Sequence, residues 1–180
     1  MKKLVVFGIL SAAVAVMLLN ADHRAKAQSG SRGTGRAAGG SFESRFWSYL
    51  AEAKYTNWAP SPGQSDGFQK GGSPHGAFLK MYLNRTAAGN PKKPPYGSII
   101  VKENYGPNKK KLMAVTVMYR VKSYNPKGGD WYWIKYKPDG TVAAKMTPKG
   151  RMMLAGKLKG CIECHNGSAG DDYSFFNDKL

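Results

Sequence analysis

SIIVKENY (Ser98–Tyr105), MAVTVMYRVKSY (Met113–Tyr124) and DWYWIKY (Asp130–Tyr136) are three runs rich in Val, Ile, Tyr and Trp. Their composition and near-two period predict β-strands. Gly106-Pro107-Asn108 and Pro126-Lys127-Gly128-Gly129 punctuate them as turns. Loops this short force consecutive strands to pair antiparallel, because a parallel return needs a crossover of about a dozen residues. Lys137-Pro138-Asp139-Gly140 closes the third run with another tight turn.

Upstream, Ala77–Leu83 reads as a further strand, connected onward through the proline-rich stretch Pro91–Tyr96. Residues 55–75 carry Pro60, Pro62 and several glycines and read as a loop. Ser41-Phe42-Glu43-Ser44 offers a capping signal, and Phe46, Trp47, Leu50 and Ala51 then recur at helical spacing, which predicts an amphipathic helix over 43–54. A second helix is expected over about 148–164. The expected fold is mainly β, of the α+β kind: an antiparallel sheet of four or five strands with a flanking helix at each end. No internal repeat is visible.

The two cysteines of the chain stand together in Cys161-Ile162-Glu163-Cys164-His165, near the C-terminus. C-x-x-C-H reads as an attachment site for a c-type haem. Each thiol can add across one vinyl group, and the adjacent histidine can ligate the iron from one face. A zinc site would need a second C-x-x-C or a His pair, and neither exists. A thioredoxin-type disulfide belongs in a βαβ setting, which this strand order does not offer.

Haem attachment of this kind requires export. Lys2 and Lys3 precede an uncharged apolar run from Leu4 to Leu19, followed by the small-x-small site Ala25-Lys26-Ala27. Sixteen residues are short for a membrane span, which needs about 20. Residues 1–27 therefore read as a signal peptide, with an uncleaved anchor as the alternative, and the location as periplasmic. Residues 28–41 (QSGSRGTGRAAGGS) read as a flexible linker and 42–180 as the haem domain. Removing 1–27 takes away four basic residues and one acidic residue, lowering the net charge from +17 to +14. That charge suits an acidic redox partner protein or an anionic small molecule, or else a solvated surface. Nucleic acid is not expected, since an exported haem protein would rarely meet it.

The placement of the motif also limits its chemistry. Fifteen residues follow His165 and none is Met or His, so a sixth iron ligand must come from upstream. Candidates are Met81, Met113, Met118, Met146, Met152, Met153 and His75. The methionines read first as core filler. An iron with five ligands and an open distal face would bind small molecules rather than only pass electrons. Trp131 and Trp133 read as sheet packing, or as one wall of the haem pocket.

GSIIVKE (97–103), VTVMY (115–119), GDWYW (129–133), Cys161–His165 and DYSF (172–175), in that order, resemble the cytochrome P-460 family, which includes the β-sheet cytochromes called cytochrome c′-beta. The resemblance spans roughly 75–176 and implies one covalent haem on an antiparallel sheet, often in a homodimer, with His165 as proximal ligand. In catalytic members a lysine is also bonded to the porphyrin edge, and hydroxylamine and nitric oxide are oxidised. By resemblance Lys102 is that lysine; its alternative is an exposed strand residue paired with Glu103 or Glu163. Glu103 is the candidate distal proton acceptor, with a surface carboxylate as its alternative. The distal arginine of the catalytic members has no counterpart in Ala77–Tyr82; there Phe78 could cap an apolar pocket, or Lys80 replace the cation. Three functions stay open: oxidation of hydroxylamine or nitric oxide, nitric oxide binding without turnover, and plain electron transfer.

Overall fold

A computed structural model describes residues 40–180 apart from 65, 66, 171 and 179. The expected signal peptide and most of the expected linker lie outside the described residues. Helix α1 (Phe42–Glu52) begins where Ser41 caps it, the Ser44 N–H donating to Ser41 Oγ at 3.2 Å. A 3-10 turn (Tyr55–Asn57) and two short strands, β1 (Ala59–Pro60) and β2 (Gln69–Lys70), occupy the segment read as loop. Strand β3 (Phe78–Leu83) follows, then the short helix α2 (Arg85–Gly89), β4 (Ile99–Tyr105), β5 (Leu112–Arg120) and β6 (Trp131–Tyr136).

These four main strands form an antiparallel meander in sequence order; β1 and β2 pair with the outer edge of β3. Strand β5 ends at Arg120, four residues short of the expected limit. There the chain turns through Ser123 at positive φ, with the Asp130 carboxylate accepting from the Ser123 and Asn125 N–H groups at 3.2 and 2.9 Å. Asn84 ties α2 to the sheet: its Oδ1 accepts from Ala87 N–H and Ile99 N–H at 2.9 and 3.0 Å.

The expected helix over 148–164 is the main correction. Residues 144–153 form a hairpin instead, β7 (Ala144–Thr147) with β8 (Gly150–Met153), followed by β9 (Ala155–Gly156) on the free edge of β6. Helix α3 is confined to Lys159–His165. Gly150 and Gly156 adopt φ of 106° and 98°, which no continuous helix contains. Pro148 sits in the two-residue turn between Thr147 and Gly150, and Thr147 Oγ1 donates across it to the Gly150 carbonyl at 2.8 Å.

The sheet is covered on both faces. On one side α1 lays Phe46 and Leu50 against Ile99, Val101, Val115, Val117, Ile134 and Tyr136. On the other, Leu83, Ile100, Met118, Trp131 and Trp133 pack with Ala87, Leu158 and Ile162. Neighbouring strands align Met81, Lys102, Thr116 and Lys135 in one row, flanked by a row of Leu83, Ile100, Met118 and Trp133. Strand side chains alternate, so both rows face away from α1.

Leu50 is fully buried under the first face. Leu50→Ala is expected to cost about 2–5 kcal/mol in denaturant-induced unfolding while leaving haem content per folded protein unchanged. A cost under about 1 kcal/mol would contradict this packing.

Candidate haem-binding site

The face opposite α1 opens into a cavity of about 970 Å³, at the upper end of the range for ligand sites. Its floor is the sheet: Leu79 and Met81 from β3, Lys102 from β4, Thr116 and Met118 from β5, Trp133 and Lys135 from β6. Its far wall is α3 with Cys161, Cys164 and His165. His75, on the loop between β2 and β3, and Met152 of the β7–β8 hairpin complete it.

In α3 the two cysteines and His165 stand at positions i, i+3 and i+4, which share one helix face. Both thiols are free. Burial pushes the Cys161 thiol up, so it is protonated, the form that adds to a carbon–carbon double bond as S–H. His165 is buried, with its Nδ1 2.7 Å from the Tyr173 carbonyl oxygen. A carbonyl can only accept, so Nδ1 carries the hydrogen and Nε2 keeps its lone pair, the arrangement of a metal-bound histidine. Burial lowers His165 to about 4, with the Tyr173 hydrogen bond acting the other way; the ring is neutral near pH 7.

The Tyr173 carbonyl is itself held in place. Tyr173 adopts a φ of +65°. Before it, Asp172 accepts from Ser174 N–H and Oγ–H at 2.9 and 2.8 Å and from Asn177 Nδ2 at 2.7 Å. Trp131 Nε1 donates to the Asp172 carbonyl at 2.6 Å, and Asn177 Nδ2 reaches back to the Pro91 and Lys92 carbonyls, both at 3.1 Å. DYSF thus orients the His165 ring, a role not legible from the residues alone.

Lys102 lies in the cavity, and burial lowers its ammonium to about 8. Neither expected carboxylate partner meets it. Glu163 pairs with Lys159 at 3.5 Å, and Glu103 is on the other side of the sheet.

Glu103 and Phe78 are corrections of placement. Adjacent strand residues face opposite ways, so Lys102 and Glu103 cannot both enter one cavity. Glu103 is buried beneath the α1 face, where it accepts from the Tyr55, Tyr82 and Tyr105 hydroxyls at 3.0, 3.2 and 2.8 Å. Burial, reinforced by this carboxylate, pushes Tyr82 up to about 12 and raises Tyr55 and Tyr105 as well. Phe78 alternates with cavity-facing Leu79 and so points away; it packs at 6.3 Å from Phe68 with Lys109 Nζ 4.6 Å above it. Lys80 also points away, its Nζ 4.5 Å over Phe68. Of the candidate methionines, Met81, Met118 and Met152 line the cavity, whereas Met113, Met146 and Met153 are exposed. Trp133 is one wall, its ring 4.7 Å from that of His165.

The sequence profile of Cytochrome P460 matches residues 52–176, the span that contains the sheet, the cavity and α3. The chain belongs to the cytochrome P460 family. No curated protein matches it significantly. Membership makes it a c-type haem protein of that family, and the residues present suit the group. The cavity is large enough for a porphyrin, two free thiols share one wall, and a neutral imidazole has its outer nitrogen already hydrogen-bonded.

Glu103→Gln replaces an acceptor-only group with one that must also donate, among three hydroxyl donors. It is expected to destabilise the fold by about 1–3 kcal/mol in chemical unfolding with haem content unaffected. Loss of haem from well-folded E103Q would place the carboxylate at the cavity after all.

Proposed function

We propose that this protein is an exported, periplasmic cytochrome carrying one covalent haem in the cavity over the sheet, and that it oxidises hydroxylamine or nitric oxide there. The observation that carries the reading is the placement of Lys102 in the same cavity as Cys161, Cys164 and His165. Each thiol would bond its sulfur to one vinyl carbon and give its hydrogen to the other, so nothing leaves. His165 Nε2 would hold the iron. The haem, once bound, supplies reversible iron redox chemistry and a coordination position for a small nitrogen compound.

Lys102 is prepared as a nucleophile. Lowering its ammonium from 10.5 to about 8 raises the neutral amine fraction at pH 7 roughly 300-fold. Bonding its Nζ to a porphyrin carbon displaces one hydrogen from nitrogen and one from carbon. Two electrons and two protons must therefore go to a two-electron oxidant of the peroxide class. Lys70, Lys135, Lys145, Lys157 and Lys159 also line the cavity, a positive mouth suited to an anionic product or an acidic redox partner. The family resemblance extends the proposal to a homodimer.

The position of Glu103 favours a second reading. Among the described lining residues the one carboxylate is Glu163, engaged by Lys159, so no carboxylate stands ready to take protons from hydroxylamine. Nitric oxide capture without turnover needs none.

Tryptic mass spectrometry of the holoprotein separates the two. A peptide joining Lys102 to haem, with hydroxylamine turnover lost in Lys102→Leu, is expected of the oxidase; haem held through Cys161 and Cys164 alone supports nitric oxide capture. The bond-forming amine must be unprotonated, so the initial rate of cross-linking is expected to rise about tenfold per pH unit up to about 8 and level off above it. A rate independent of pH between 6 and 8 would remove Lys102 as the nucleophile.

A further inference from the structure

His75 and His165 are 90 positions apart in the chain, yet their ring centres lie 6.1 Å apart with the planes at 83°. The other rings around His165 pack directly on it, Trp133 at 4.7 Å and Phe175 at 5.1 Å. His75 stands about 1 Å farther out than Phe175.

The gap has a specific size. Two imidazoles on opposite sides of one metal ion, each nitrogen about 2.0–2.1 Å from it, put their ring centres roughly 6 Å apart. A diatomic ligand held between the iron and a distal histidine would add roughly 2 Å or more to that spacing. The observed separation matches that of direct ligation, and perpendicular ring planes are compatible with it because each plane need only contain the common axis.

The surroundings of His75 point the same way. Its Nδ1 is buried without a hydrogen-bond partner, and so is Oδ1 of Asn104, the side chain that faces it. Asn104 cannot rotate away: its Nδ2 donates to the Lys102 and Ala114 carbonyls, both at 3.1 Å, and to Thr116 Oγ1 at 3.2 Å. A small shift of the imidazole that joins Nδ1–H to Oδ1 leaves Nε2 as the lone-pair nitrogen. His165 already has that arrangement with the Tyr173 carbonyl, the pattern by which proteins orient metal-bound histidines.

We infer that His75 is the second axial ligand, binding the iron opposite His165 in the resting protein and leaving when a small ligand enters. This rests on the haem reading above but not on hydroxylamine oxidation. His75 sits on a turn, its N–H donating to the Gly72 carbonyl at 2.8 Å, with Gly71, Gly72 and Gly76 around it, so its departure requires a loop rather than a strand to move. The site would admit strong ligands such as nitric oxide, at a rate that saturates at the dissociation rate of His75.

Electron paramagnetic resonance and absorption spectra of the ferric holoprotein test this, with intact mass measured on the same sample. A low-spin, bis-imidazole spectrum is expected for the wild type. His75→Ala should convert it to high spin with covalent haem retained, and added imidazole should restore the low-spin form. Nitric oxide binding should saturate in the wild type and stay proportional to concentration in H75A. A high-spin wild type with covalent haem overturns the ligation, and this needs no variant to fold. A low-spin spectrum unchanged in H75A overturns it too, by giving the position to another side chain such as Met81. A wild-type mass lacking haem overturns the haem reading itself, and the ligation with it.

Discussion

Neighbouring residues on a strand face opposite sides of its sheet, and in this protein that alternation decides the chemistry. Strand β4 sends Ile100 and Lys102 towards α3 and Ile99, Val101 and Glu103 towards α1. A shift of one residue in register would exchange the amine for the carboxylate. The register is held from both sides. Under α1 it is fixed by close apolar packing of Val101, Val115 and Val117 and by three tyrosine hydroxyls on Glu103. On the cavity side, buried Asn104 bonds across β4 and β5. Three hydroxyl donors satisfy the buried Glu103 side chain and hold it away from the place where a distal base would stand.

The second wall of the site is positioned by polar groups rather than by a long helix. Helix α3 is seven residues, too short to be stable alone. It is pinned through the chain that follows it: Trp131 on Asp172, Asp172 on Ser174 and Asn177, Asn177 on the chain at Pro91 and Lys92. The product of this network is one carbonyl, that of Tyr173, aimed at His165 Nδ1. Buried polar networks of this kind make up for limited regular structure by fixing a single geometry. The floor of the cavity thus comes from sheet register, and the orientation of His165 from a C-terminal hydrogen-bond chain.

Much of this was legible in the residues. The meander followed from three β-rich runs and two short turns, and α1 from Ser41 and its aromatic stripe. What was not legible has two physical causes. A sheet covered on both faces carries apolar residues on both, as in Ile99-Ile100-Val101, so alternation alone cannot say which side is which. Placing both Lys102 and Glu103 at the haem, and Phe78 with them, ignored that choice. The helix expected over about 148–164 is interrupted by Gly150 and Gly156 at positive φ, and residues 144–153 fold as a hairpin instead. The approach of His75 to His165 depends on how a long loop closes over the sheet, and no local pattern reports it.

A crystal structure of the holoprotein would show whether the sheet face bearing Lys102 is the haem face. The expected result is one porphyrin bonded to Cys161 and Cys164, resting against Lys102, Thr116 and Met118, with Glu103 still held by its three tyrosines on the far side. A porphyrin in contact with Glu103 or Phe78, or one lying outside this cavity, would contradict it.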